Sequence, residues 1–70
     1  MLLQVLTMKI RLIKHAIDKM SWLGIAEDQI IEVIEKGSKY KQTEGLLAKY
    51  VYISVAYKKV KDYYLIKTVY

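Results

Sequence analysis

The only histidine, the only tryptophan and the only arginine of this 70-residue chain fall within Arg11–Gly24, R-L-I-K-H-A-I-D-K-M-S-W-L-G. At roughly 100° per residue of helix, Arg11, His15, Lys19 and Trp22 gather on one flank. An imidazole then lies between two cations and beside an indole. Phosphodiester transfer through a 2′-hydroxyl needs a base, an acid and a cation for the developing charge. His15 is the one side chain here whose unperturbed pKa is near neutrality, which suits the base. Lys19, one turn on, and Arg11, one turn back, would supply the positive field. A structural role fits His15 equally well: a hydrogen bond to a strand carbonyl that fixes the helix on a sheet. Trp22 also has two readings, an interface anchor or a plug of the core. A lone tryptophan beside a glycine favours the plug.

Charge and aromatic content single out a second region. Residues 1–36 carry five positive and five negative side chains, whereas residues 37–70 carry seven lysines against Glu44 and Asp62. The formal net charge of +5 therefore belongs to the second half, and so do all seven tyrosines. Lysines interleaved with aromatics are the chemistry that holds phosphates and stacks bases, and Lys49, Tyr50, Tyr52 and Lys67 are the candidate RNA-binding residues. The same composition also suits a plain sheet, where tyrosine favours strands and lysine blunts exposed edges.

Several classes are disfavoured. There is no cysteine, and a single histidine offers no clustered zinc set. No Gly-rich phosphate loop and no Ser/His/Asp set is present, so neither metal nor cofactor is expected. No apolar run approaches the roughly 18 residues of a membrane-spanning helix. Met1–Leu6 is apolar but lacks the basic start and cleavage site of a signal peptide, so a cytoplasmic protein with no membrane partner is expected. A chain this short buries only about 60% of its unfolded surface. With 54% hydrophobic residues, surplus apolar surface would serve a homodimer or another protein partner.

These groups have to be positioned by a small set of elements. Residues 1–9 form either a strand or a frayed arm, and Met8-Lys9-Ile10 resembles a natural protein start. A first helix is expected over Arg11–Leu23, with Leu12, Ile13, Ala16, Ile17, Met20 and Leu23 on one face and Gly24 as its stop. A second helix is expected over Glu27–Lys36. Gln29 there is half of a capping box, but Ala26 lacks the oxygen for the other half. The short link folds the two helices into a hairpin. From Ser38 the period falls to two, giving strands over Ser38–Thr43, Leu46–Tyr57 and Tyr63–Tyr70, with a turn at Glu44-Gly45. The expected fold is α+β, one domain over residues 1–70, with a helical hairpin on a three- or four-stranded antiparallel sheet.

Ile10–Lys19 with Lys14-His15-Ala16, then Gly24-Ile25 and the acidic second helix, resembles a family of small prokaryotic proteins, the domain of unknown function 4258. The closing Lys67-Thr68-Val69-Tyr70 is similar as well. Lys19 and Leu23 stand where the family pattern has arginine. That family looks like a relative of the RelE-like and BrnT-like ribonuclease toxins. The resemblance implies a RelE-like fold, an RNA-directed module, a metal-independent endoribonuclease activity, and an acidic antitoxin-like protein as partner. A non-catalytic nucleic-acid-binding protein and a protein-interaction module are the alternatives.

Overall fold

A computed structural model describes residues 9–70; the expected N-terminal arm or strand lies outside the described residues except at its end. Ile10–Leu12 is a short strand, β1, because Ile10 and Leu12 alternate inward while Arg11 points to the other face. The first helix therefore begins later than the apolar spacing predicts, at Lys14. It runs Lys14–Leu23 (α1), with Ile13 extended at its N-cap, φ −81° and ψ 164°. Gly24 ends it in the left-handed region at φ 69°, the conformation glycine adopts without a Cβ penalty. Ala16 is the fully buried residue of α1, whereas Ile13, Ile17 and Leu23 of the expected stripe are exposed. Trp22 is exposed too, so the core-plug reading is wrong.

The second helix, α2, spans Glu27–Lys36 as its pattern predicts, with Glu27 and Asp28 at the positive end of the dipole and Lys36 at the negative end. Its N-terminus has half a capping box. The Ala26 N–H donates to Gln29 Oε1 at 2.8 Å, but Ala26 has no side-chain oxygen to offer in return. Ala26→Ser should therefore stabilise the protein by about 0.5–2 kcal/mol, read as a higher midpoint of chemical denaturation with an unchanged slope.

The strands are β2 (Ser38–Gln42), β3 (Gly45–Tyr50), β4 (Ile53–Val60) and β5 (Tyr63–Val69). They form one five-stranded mixed sheet in the order β1-β5-β4-β3-β2, with β1 parallel to β5 and all other pairs antiparallel. This corrects the expected three- or four-stranded antiparallel sheet in two ways. The added parallel strand is β1. The added antiparallel strand arises because the expected long strand Leu46–Tyr57 folds back on itself at Val51-Tyr52, with Tyr50 opposite Ile53. Val51 takes φ 59° there, a conformation that is rare for a β-branched residue.

Both helices lie on one face of the sheet, α1 over β5 and α2 over β3 and β4. Ala16, Ile30, Val33 and Ile34 meet Ala48, Ile53, Val55, Tyr57, Ile66 and Val69 in a single core. A bulge in β5 opposite Ala56 and Tyr57 keeps both Ile66 and Val69 on this face, although they are three residues apart. The α+β class holds. Each helix of the expected hairpin finds its main partner in the sheet. No described helix is long and apolar enough to cross a membrane.

Tyr57 is buried in this core, edge-on to Tyr64 with centroids 5.5 Å apart. Burial raises its phenol pKa above the ordinary value near 10, and Tyr64 adds to the rise. The neutral phenol is thus favoured by the fold, and the unfolded chain ionises first. Its stabilising effect is complete below about pH 10 and is lost as pH rises through the folded value. Denaturation midpoints should fall on the alkaline side for the wild type, and Tyr57→Phe should lessen that fall.

Candidate nucleic-acid interface

None of the five strands contains an aspartate or glutamate, yet they carry Arg11, Lys39, Lys41, Lys49, Lys58, Lys59 and Lys67. Asp18, Glu27, Asp28, Glu32 and Glu35 all lie on the helices, while Glu44 and Asp62 lie in hairpin turns. Of the sheet cations, Arg11, Lys49 and Lys58 lie on the face away from the helices, while Lys39, Lys41 and Lys59 pair with Ala48, Leu46 and Tyr64 and share the helix-side face. An acidic helix layer backs a basic sheet.

Among the described residues, no element covers the sheet face opposite the helices. Directly paired residues share a face, and the register lays out this open face row by row. Ser38, Lys49, Ser54 and Tyr70 form one row, the last joined through reciprocal backbone bonds between Ser54 and Tyr70 of 2.6 and 2.8 Å. Tyr40, Leu47, Ala56 and Thr68 form the next row, and Lys58, Leu65 and Arg11 the third. Val60 and Tyr63 close it. The centre holds small residues, Ser54 and Ala56, both buried by their neighbours. Leu47 and Leu65 lie beside them, with the cations and tyrosines toward the edges. The face thus joins a small-residue and leucine centre to Arg11, Lys49, Lys58, Tyr40, Tyr63 and Tyr70.

One corner is further organised. The Arg11 guanidinium carbon lies 5.2 Å from the Tyr63 ring centroid, a cation–π contact. Lys9, Ile10, Arg11, Asp62 and Tyr63 line a depression of about 440 Å³ beside it. At another corner, the Lys67 ammonium donates to the Glu44 carbonyl and so ties β5 to the β2–β3 turn.

No family model, curated protein or solved structure matches the chain.

The predicted site residues separate between faces. Lys49 belongs to the open face, whereas Lys67 is the bulge residue of β5, without a paired residue on β4, and its ammonium is held by the Glu44 carbonyl. Tyr50 faces the opposite way from Lys49, packing against the core, and Tyr52 sits in the β3–β4 turn. His15 and Lys19 remain one turn apart on α1, with His15 exposed and Lys19 half-buried. Arg11 does not join them, because it is on β1 and engages Tyr63. The flank expected to hold Arg11, His15 and Lys19 together is thus reduced to two residues. The helices keep their own ion pairs, Lys14 with Asp18 at 3.6 Å and Lys36 with Glu32 at 3.2 Å. The Glu32 hydrogen bond raises the Lys36 pKa, and its charge adds to the effect.

Sequence reasoning missed Tyr40, Lys58, Tyr63 and Tyr70. For Tyr40 and Lys58 the alternation within their strands was an available signal. For Tyr63 and Tyr70 it was misleading, because the bulge at Lys67 puts residues of opposite parity on the same face.

Proposed function

We propose that this chain is an RNA-directed protein that binds single strands on the open face of its sheet, as a non-catalytic binding protein. The observation that carries the reading is a sheet whose strands hold no acidic residue. Arg11, Lys49 and Lys58 supply cations beside Tyr40, Tyr63 and Tyr70, and a backbone of phosphates with splayed bases needs both. The small residues Ser54 and Ala56 let a strand lie close to the sheet. Single-stranded substrate is favoured because stacking platforms are useful only where bases are free.

The ribonuclease version of this reading rests on His15 and Lys19, which stand on the helix layer rather than on the open face. A phosphate held by Arg11 and Lys58 would be on the other side of the sheet from that imidazole. Binding needs no such partner group, which is why the geometry supports it best. The resemblance to RelE-like toxins adds an acidic protein partner to the proposal, since the same basic face would attract one.

Titration of a labelled single-stranded RNA at several salt concentrations tests the reading. Log K should fall linearly with log salt, with a slope near −0.7 for each phosphate neutralised. Tyr63→Ala should weaken binding by roughly 1–3 kcal/mol, the usual worth of one base–aromatic stack. Absent binding, or affinity that does not respond to salt, would overturn it.

A further inference from the structure

We infer that the end of the molecule formed by Trp22, Leu23, Val51, Tyr52 and Tyr70 is the contact surface of a symmetric homodimer. Each copy would place its Trp22 in the cleft of the other. The patch shares Tyr70 with the edge of the proposed RNA-binding face, and the inference does not rest on that reading.

The first observation is what is left uncovered. Trp22 is 81% exposed, Tyr52 84%, Val51 79%, Tyr70 51% and Leu23 49%. They come from three separate places in the chain: the last turn of α1, the β3–β4 turn and the end of β5. Leu23, Ile25, Tyr52, Ile53 and Tyr70 line one apolar cleft of about 210 Å³. An apolar cavity of about 150 Å³ is enough to hold a benzene ring, so a cleft of this size suits an indole.

The second observation is that knob and hole are neighbours. Trp22 directly precedes Leu23, a wall of the cleft, and points away from the core. A two-fold interface needs one patch that is complementary to itself, and a projecting indole beside an apolar cleft meets that condition. The three aromatics alone, at 150–250 Å² of side chain each, expose on the order of 400 Å². That is about half of the roughly 800 Å² that each partner buries in a standard interface. Leu23, Val51 and the polar rim supply the remainder.

The third observation is charge. Two copies carrying +5 each would repel through their open sheet faces. None of the residues that line the cleft, Leu23, Ile25, Tyr52, Ile53 and Tyr70, is charged. An uncharged lining permits self-association and gives no preference for a polyanion. Val51 supports the same assignment. It holds an exposed apolar side chain in the left-handed region, a strain of order 1–3 kcal/mol that is characteristic of functional surfaces.

Trp22 is the sole tryptophan, so it reports its own environment. The full chain, freed of nucleic acid, is followed by sedimentation and tryptophan emission on dilution from the millimolar to the nanomolar range. The expected result is a dimer that dissociates on dilution. Emission should shift to the red and acrylamide quenching should rise over the same concentrations. Tyr52→Ala and Leu23→Lys keep the probe and should raise the dimer dissociation constant about tenfold to a hundredfold. Tyr40→Ala, on the distant edge strand, should leave it unchanged. Circular dichroism of the two cleft variants checks that they are folded. A chain that sediments as a monomer throughout, with Trp22 fully quenchable, would overturn the inference. So would a dimer in which Trp22 stays quenchable or whose affinity both folded cleft variants leave intact.

Discussion

Replacing Gly37 with alanine is expected to cost this protein about 1–3 kcal/mol, the range of overpacking a filled site. The reason is close approach rather than backbone freedom, since Gly37 is extended at φ −77°. A Cβ there would lie 2.5 Å from the Lys49 carbonyl oxygen and 2.5 Å from that of Val33. Both obstacles are backbone. One belongs to the last turn of α2 and the other to β3, so neither gives way as the tip of a side chain would. The Gly37 N–H closes α2 by donating to the Val33 carbonyl at 2.8 Å. Making room for the methyl therefore means moving the helix end away from the strand it packs on. A domain of this size has a total stability of only about 4–10 kcal/mol, so the change is a large share of it. Thermal and chemical denaturation of Gly37→Ala measure it, and an unchanged midpoint would show that α2 and β3 are not held this closely.

That contact shows where sequence reasoning succeeds and where it stops. α2 is legible to the residue, because Glu27 and Asp28, the Ile30–Ile34 stripe, Lys36 and Gly37 all agree locally. The sequence also marks Gly37 as the helix stop, and it is the C-cap, but its close approach to β3 has no local signal. Helix termination is a local property, whereas the carbonyl of Lys49 reaches Gly37 only through tertiary packing. The β2 strand is legible for the same local reasons, as a polar edge with Lys39 and Lys41.

The misses are non-local or lack a signal. Tyr50-Val51-Tyr52-Ile53 contains no glycine, proline or asparagine, and it reads as unbroken strand until Val51 is seen at φ 59°. That one turn changes the strand count and reverses the face of Tyr50 relative to Ser54. At the other end, Ile10-Arg11-Leu12 joins a helical apolar pattern without a break. Its pairing with Tyr64, Leu65 and Ile66 is fixed by residues more than fifty positions away. Arg11 leaves the His15 flank for that reason. The candidate site was legible as chemistry, lysine with tyrosine in the second half, and illegible as a surface. Parity decides which side each residue takes, and one hairpin and one bulge reset the parity.

The central claim, that the open sheet face rather than the helix layer meets RNA, makes its largest prediction for charge reversal. Each single-strand phosphate contact contributes a factor of about 5 in affinity at about 0.1 M salt. Lys49→Glu with Lys58→Glu removes two such contacts and adds two repulsive charges to strands that carry no acid of their own. The expected loss is about a hundredfold or more. Lys14→Glu with Lys19→Glu changes the net charge by the same amount on the helix layer, beside His15. It sets a carboxylate one turn from Asp18, which costs the helix only a few tenths of a kcal/mol. Overall charge is thus held equal while its location differs. The most direct measurement is the affinity of these two double variants for one single-stranded RNA at one salt concentration, with circular dichroism showing both to be folded. The predicted result is a loss of about a hundredfold for the sheet pair and less than about fivefold for the helix pair. Equal losses, or the larger loss on the helix pair, would contradict the assignment of RNA to the open face.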